Sequence, residues 1–246
     1  MRLAALALAV LLLPLPAVAQ EDEAAPSERE LVLEGFRRLV DRGDARGLFG
    51  LPADAFWRRQ GGIGFALFAD EAERLEPVLQ GAAASFAEVT GETMTVAEAA
   101  PLSPQAADVA SLAPQAEMVI VIGPRPRLVE LAEDSDFNRV MLDQFEYGAW
   151  PFAFRFDADE RRRGVVLLAD DESARAREAS FILATVWALG GVTLGPELTG
   201  LVGDSDTGPE LTPRGEAVFG LFFHHDLDVG MPLADALQRA ETLLPR

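Results

Sequence analysis

Two adjacent histidines, His224 and His225, are the side chains best suited to acid-base or metal chemistry, and Asp226 follows them. An imidazole can exchange a proton near neutral pH or bind a transition metal. Neighbouring helical positions point in different directions, so we do not expect both rings to face one ion. Zinc-binding histidines on a helix are usually four residues apart. The pattern predicts a helix-end pair that interacts with the helix dipole, and a metal site at His224 and His225 is the alternative.

A second candidate is the acidic segment that contains Asp204 and Asp206. Alternating carboxylates followed by Gly208 are similar to the start of a calcium-binding EF-hand loop. The similarity ends there, because Pro209 replaces the glycine of the sharp turn and Gly215 replaces the bidentate glutamate. We therefore expect a solvated turn, with calcium binding as the alternative.

The sequence lacks the residues and motifs of several common catalytic and cofactor-binding sites. The chain has no cysteine, which excludes disulfides, thiolate nucleophiles and thiolate zinc sites. It contains neither the G-x-S-x-G of serine hydrolases nor the G-x-G-x-x-G of dinucleotide-binding folds. No cofactor is therefore expected.

The excess of acidic residues limits the classes of molecule that the protein is expected to bind. The 246 residues include 40 acidic and 21 basic ones, all arginine, for a formal net charge of -19. Such a surface repels the phosphate backbone of nucleic acids and anionic membranes. We expect no nucleic-acid partner and a peptide or envelope component instead.

The first residues predict export. Arg2 precedes a short apolar run, and the small residues before Gln20 suit signal-peptidase cleavage after Ala19. The run is too short and too interrupted by proline for a membrane span. We therefore expect a soluble periplasmic or secreted protein. The expected divisions are a signal peptide over residues 1–19, a flexible leader over 20–27 and a single domain over 28–246.

Apolar periodicity predicts alternating helices and strands. Helices are expected over residues 27–43, 70–89, 128–145 with an interruption at 134–136, 173–190, 213–223 and 232–244. Strands are expected over 56–59, 63–69, 93–96, 118–122, 152–156 and 165–168, with irregular connections over 99–114 and 190–208. The second half of helix 173–190 is apolar on nearly all sides and should be buried. These elements predict an α+β fold with a mixed sheet and a helical C-terminal part.

Four motifs in the C-terminal third carry a resemblance to a known family. They are Leu183 to Gly190 (LATVWALG), Leu211-Thr212-Pro213, Phe222-Phe223 and Gly230-Met231. The chain resembles an uncharacterised family of exported bacterial proteins, a domain of unknown function related in pattern to zincin metallopeptidases. In the peptidases the corresponding helix reads H-E-x-x-H-A-L-G, and in the uncharacterised family it is similar to E-E-L-T-Q-A-L-G.

The resemblance implies a zincin-like fold without the zinc site. The two zinc ligands would fall on Leu183 and Trp187 and the general base on Ala184, and none of these side chains can do that work. The resemblance therefore implies a non-catalytic protein, and we expect a periplasmic binding or accessory role. The alternatives are a hydrolase with a relocated site around His224, His225, Asp204 and Asp206, and a structural envelope protein.

Overall fold

A computed structural model describes residues 25–40, 51–52, 54–106, 108–156, 163–193, 200–205 and 208–245. The expected signal peptide and Asp206 lie outside the described residues. The helices are α1 Glu28–Val40, α2 Ala72–Thr90, α3 Arg125–Ala132, α4 Arg139–Glu146, α5 Ala174–Leu189, α6 Pro213–Phe222 and α7 Leu233–Leu243, with a short 3-10 helix at Val109–Ser111. The strands are β1 Ile63–Phe68, β2 Met94–Ala100, β3 Met118–Gly123, β4 Phe152–Phe156, β5 Gly164–Ala169, β6 Val202–Ser205 and β7 Gly208–Leu211.

Five of the strands form one mixed sheet in the order β2-β1-β3-β5-β4. β2, β1, β3 and β5 are parallel, and β4 pairs antiparallel with β5 at one edge. In the register of the central strands, Val119 lies between Ala66 and Val165. Every residue of β3 and β5 is buried, as expected of apolar strands covered on both faces. The α+β class with a mixed sheet is thus confirmed.

Two pairs of helices cover the sheet. α2 packs on β2 and against α5, which in turn packs on β3 and β5. α3 also packs on β3 and β5, while its neighbour α4 packs on β4. Since β3 and β5 are buried on both faces, the α3–α4 pair covers the face opposite α2 and α5. The expected interruption at 134–136 separates α3 from α4, and Asn138 caps α4 by accepting a hydrogen bond from the Met141 amide.

The structure confirms the predicted start of the first helix. The Ser27 amide donates to the Glu30 carboxylate at 2.7 Å, and the Glu30 amide donates back to the Ser27 hydroxyl at 3.3 Å. This reciprocal pair satisfies amides that have no partner within the helix. Val32, Phe36 and Leu39 are buried, and α1 packs mainly against α6. None of the helices in the described part of the chain is both long and apolar enough to cross a membrane.

The predicted strand over residues 56–59 is wrong. Only an isolated bridge from Ala55 to Pro232 occurs beside this segment. Its backbone instead covers the C-terminal end of α5, where the Arg59 amide donates to the Leu189 carbonyl at 2.9 Å. The Arg59 guanidinium also donates to the Ala188 carbonyl at 2.9 Å. The last carbonyls of a helix need such partners, and an apolar stretch can supply them without joining a sheet.

The prediction of an irregular connection over 190–208 is wrong for residues 202–205, which form β6. β6 and β7 form a separate antiparallel hairpin, in which Val202 pairs with Leu211 and Asp204 with Pro209. The short polar strands carry no apolar alternation that would mark them in the sequence.

Candidate functional site

The positions of α5 at which the resemblance would place zinc ligands and a general base are buried. Leu183 is 9% exposed, Ala184 is 0% exposed and Trp187 is 1% exposed. The Trp187 ring lies 4.7 Å from the ring of Phe154 and 5.1 Å from that of Phe152, measured between centroids. These phenylalanines project from β4 onto α5.

The Trp187 indole is also held by a hydrogen bond. Its Nε1 donates to the Thr193 carbonyl at 2.7 Å, just beyond the end of α5. An indole nitrogen has no lone pair for a metal, and neither leucine nor alanine offers one. The three positions therefore contribute to the hydrophobic core.

A cleft of about 660 Å³ lies at the edge of the sheet where the parallel strands have their carboxyl ends. It is bordered by residues that lie within three positions of the strand ends: Ala69 and Asp70 after β1, Leu102 and Ser103 after β2, and Asp170 after β5. Parallel strands end at the same edge of a sheet, so these residues are brought together although up to 101 positions separate them in sequence.

The cleft coincides with the reversal of strand order. The chain goes from β1 outward to β2 on one side and then crosses to β3 on the other side of β1. The connections therefore diverge between β1 and β3 and leave a crevice at their carboxyl ends. Open parallel sheets bind ligands at this position, because no connection covers it.

The floor of the cleft is apolar and its rim is charged. The apolar surface comes from Leu75 of α2, Ile122 of β3 and Leu102, which follows β2. Asp70 and Asp170 are both exposed at the rim. Within the described part of the chain, neither carboxylate has a hydrogen bond or an ion pair, so both are available to a ligand.

The two arginines of the cleft form hydrogen bonds and ion pairs within the protein. Arg177 donates to the carbonyls of Asp170 and Glu172 at 2.8 and 2.7 Å. Arg127 donates to the Pro104 carbonyl at 3.1 Å and lies 3.3 Å from the Glu130 carboxylate. These bonds hold the rim loops in place and occupy part of the hydrogen-bonding capacity of the two guanidinium groups.

Glu71 adds negative charge beside the cleft. A hydrogen bond from Arg74 at 2.6 Å, assisted by the charges of Arg74 and Arg177, lowers the pKa of Glu71 below its ordinary value. This carboxylate therefore stays ionised at neutral pH. The rim combines free carboxylates with an apolar floor, an arrangement that suits an amphipathic ligand with a cationic group.

Comparison with family models, curated proteins and solved structures gave no match.

The histidines occupy a turn beyond the end of α6. Their rings stack, with centroids 4.4 Å apart and planes inclined by 26°. The expectation that adjacent histidines diverge is therefore wrong, because it assumed a helical backbone, whereas α6 ends at Phe222. Asp226 lies beside both rings and forms with His224 and His225 a cluster whose ligand atoms are within 4.8 Å of one another.

Asp204 and Asp206 are the two acidic residues that the sequence offered as a calcium site. Asp204 belongs to β6 and pairs through its backbone with Pro209, so this part of the segment is a strand and not the expected solvated turn. Asp206, the second carboxylate of the calcium-binding alternative, lies outside the described residues.

The sequence did not point to the cleft residues. Asp70 and Asp170 each follow an apolar strand, but they also stand before predicted helices, where acidic residues commonly interact with the helix dipole. The signal that identifies them is an aspartate within two residues of the end of each of two parallel strands. It can be used only when the strand order is known.

Proposed function

We propose that this chain is a non-catalytic, exported, zincin-like protein that binds a small amphipathic ligand, a short peptide with a basic side chain. The single observation that carries the proposal is the cleft at the reversal of strand order. Its volume of about 660 Å³ lies in the range of pockets that hold small molecules. A purely structural envelope protein would have no need of this cleft.

Two features support the absence of catalysis at α5. The helix retains the Ala-Leu-Gly ending of the resemblance, and Gly190 ends it in a left-handed conformation with φ of 102°. The positions that would hold zinc and the general base are core residues that pack under β4. A water molecule could be neither bound nor activated there.

The ligand class follows from the charges of the cleft. Among the described residues the carboxylates of Asp70 and Asp170 have no partner, whereas Arg127 and Arg177 each donate to protein carbonyls. A cationic side chain would gain charge-assisted hydrogen bonds at the rim while its apolar neighbours cover Leu75, Leu102 and Ile122. An anionic ligand would meet repulsion instead.

Calorimetric titration with the blocked tripeptide acetyl-Leu-Lys-Leu-amide tests the proposal. We expect saturable binding by the wild type and at least tenfold weaker binding of acetyl-Leu-Glu-Leu-amide. Ser103→Trp should weaken binding of the basic peptide at least tenfold, because the indole would fill the mouth of the cleft.

The matched control is Gln105→Trp in the same segment. Ser103 donates to the Gln105 side chain at 2.9 Å, so either substitution removes this bond, but Gln105 does not border the cleft. Both variants also keep the net charge, so non-specific attraction of a basic peptide is unchanged. Equal binding by the two variants, or equal affinity for the acidic peptide, would overturn the proposal.

Zinc analysis tests separately whether α5 is without a metal site. The double variant His224→Ala/His225→Ala removes both imidazoles of the chain, and we expect it to contain no stoichiometric zinc after purification. Retained zinc would require a metal site elsewhere and would contradict a zincin-like protein without its metal.

A further inference from the structure

The turn after α6 presents three potential metal ligands on a fixed backbone. Phe222 and Leu227 flank it, and both are 0% exposed. The His224 amide donates to the Leu221 carbonyl at 3.0 Å, and the Leu227 amide donates to the His224 carbonyl at 3.0 Å. The backbone between the two buried anchors is therefore held in place without a metal.

The side chains of this turn are arranged around the Asp226 carboxylate. His224 Nδ1 lies 3.9 Å from Asp226 Oδ2, and His225 Nε2 lies 3.5 Å from Asp226 Oδ1. Zinc bonds of about 2.0–2.1 Å in a tetrahedral site place neighbouring ligand atoms roughly 3.3 Å apart. The two histidine–carboxylate separations are 0.2 and 0.6 Å longer than about 3.3 Å, and all three ligand atoms lie within 4.8 Å of one another.

We propose that His224, His225 and Asp226 form a binding site for a divalent transition-metal ion of the zinc class. Two imidazoles and one carboxylate supply three ligands, and further positions on the ion remain for water or for a donor from a partner molecule. Imidazole ligands select zinc and similar ions over magnesium, which prefers oxygen ligands. The site lies outside the cleft and does not depend on the proposed peptide ligand.

Rotation of the side chains would close the site. His225 is 85% exposed on its side chain, so its ring can rotate freely toward the ion. His224 Nδ1 accepts a hydrogen bond of 3.2 Å from the Asp226 amide. Coordination through this nitrogen replaces that bond, and the lone pair is already directed toward the Asp226 end of the turn.

The test is calorimetric titration of the full chain with Zn²⁺ and, separately, with Mg²⁺. We expect one Zn²⁺ per chain and no comparable Mg²⁺ binding. His225→Ala and Asp226→Asn should each weaken Zn²⁺ binding at least tenfold. Because His225 is exposed, its substitution should leave the fold intact. Asp228→Asn, in the same turn but outside the cluster, is the matched control and should bind as the wild type does.

Histidine ring resonances provide a direct readout, since His224 and His225 are the two histidines of the whole chain. Both should shift in the same titration as Zn²⁺ binds. Equal Mg²⁺ binding would show that the acidic surface merely accumulates cations and would overturn the proposal. Unchanged Zn²⁺ affinity in His225→Ala would do so as well. The cleft variant Ser103→Trp should retain the zinc site, so failure of the peptide proposal and failure of the metal proposal are distinguishable.

Discussion

Arg125 shows how a single side chain can connect several elements near the cleft. Its guanidinium donates to the carbonyls of Phe145 and Trp150 at 2.8 and 2.7 Å. It also pairs with Asp171 and Glu172, each at 3.0 Å. The start of α3 is thereby tied to the end of α4 and to the loop before α5. All these bonds are internal, so Arg125 contributes to the rigidity of the rim and not to ligand binding.

The Arg125–Asp171 pair predicts a pH-dependent contribution to stability. The hydrogen bond and charge of Arg125 lower the pKa of Asp171 below its ordinary value. A carboxyl whose pKa is lower in the folded state contributes stability above its unfolded pKa of about 3.9 and loses it as pH falls through the folded pKa. We therefore expect Asp171→Asn to lower the free energy of unfolding at pH 6 more than at pH 3.

Urea unfolding of the wild type and Asp171→Asn at both pH values measures this difference. Asp134→Asn is a suitable control, because it makes the same change of side chain at an exposed position on the α3–α4 connection. A difference between wild type and Asp171→Asn that grows toward pH 3 would contradict the prediction.

Trp187 illustrates how packing against aromatic neighbours commits a helix position to the core. Its ring contacts Phe152, Phe154 and Phe156 of β4, with centroid separations between 4.7 and 6.5 Å. Aromatic contacts of this kind stabilise a core beyond the area they bury. The same position with a histidine would place a polar ring among phenylalanines, so the present core and a metal site on α5 exclude each other.

Helix ends account for much of the accuracy of the element predictions. The capping residues Ser27, Ser173 and Thr212 each accept a hydrogen bond from the first turn of the following helix. Such local pairs depend on residues three positions apart and are therefore visible in the sequence. The predicted starts of α1, α5 and α6 lie within one residue of those observed.

Two glycines that end helices should respond differently to substitution. Gly91 after α2 and Gly190 after α5 both have positive φ, 72° and 102°. A Cβ at Gly91 would meet nothing within 4 Å, whereas one at Gly190 would lie 2.5 Å from the Trp57 ring. We expect Gly91→Ala to cost about 1 kcal/mol for the backbone alone. Gly190→Ala should cost about 3 kcal/mol, because overpacking adds to it.

Chemical denaturation of the two variants beside the wild type measures both costs. Because the backbone penalty is common to the two, their difference isolates the contact with Trp57. Equal destabilisation would mean that the segment over residues 57–59 moves away from α5 without cost.

At the scale of the whole molecule, the net charge of -19 opposes compactness. Repulsion among exposed carboxylates is screened when the Debye length falls from about 30 Å at 0.01 M salt to about 8 Å near 0.15 M. We therefore expect the thermal midpoint to rise by a few degrees when NaCl is increased from 10 to 150 mM. Screening of ion pairs acts in the other direction but involves fewer charges, since acidic residues outnumber basic ones.

Thermal unfolding followed by circular dichroism measures the effect. Tetramethylammonium chloride is the matched control, because it screens charge equally well but binds weakly to carboxylates. A midpoint that falls with NaCl would contradict the prediction, and a rise with NaCl alone would indicate cation binding in place of screening.

The sequence by itself determined the periodic elements. Residues 118–122 and 165–168 were predicted as strands and residues 173–190 as a buried helix, and the structure has β3, β5 and α5 there. These predictions succeed because apolar periodicity and helix caps depend on residues close together in the chain. The strand at 56–59 failed because an extended apolar segment can pair with a helix end as well as with a sheet.

Only the tertiary structure decided how these elements combine. Strand order brings Asp70 and Asp170 to one cleft, and the end of α6 at Phe222 lets His224 and His225 stack beside Asp226. Burial under β4 makes Trp187 a core residue. Each outcome depends on contacts between distant segments or on the residue at which a helix stops. Local patterns of apolar and polar residues specify the type of an element, whereas long-range packing selects its neighbours.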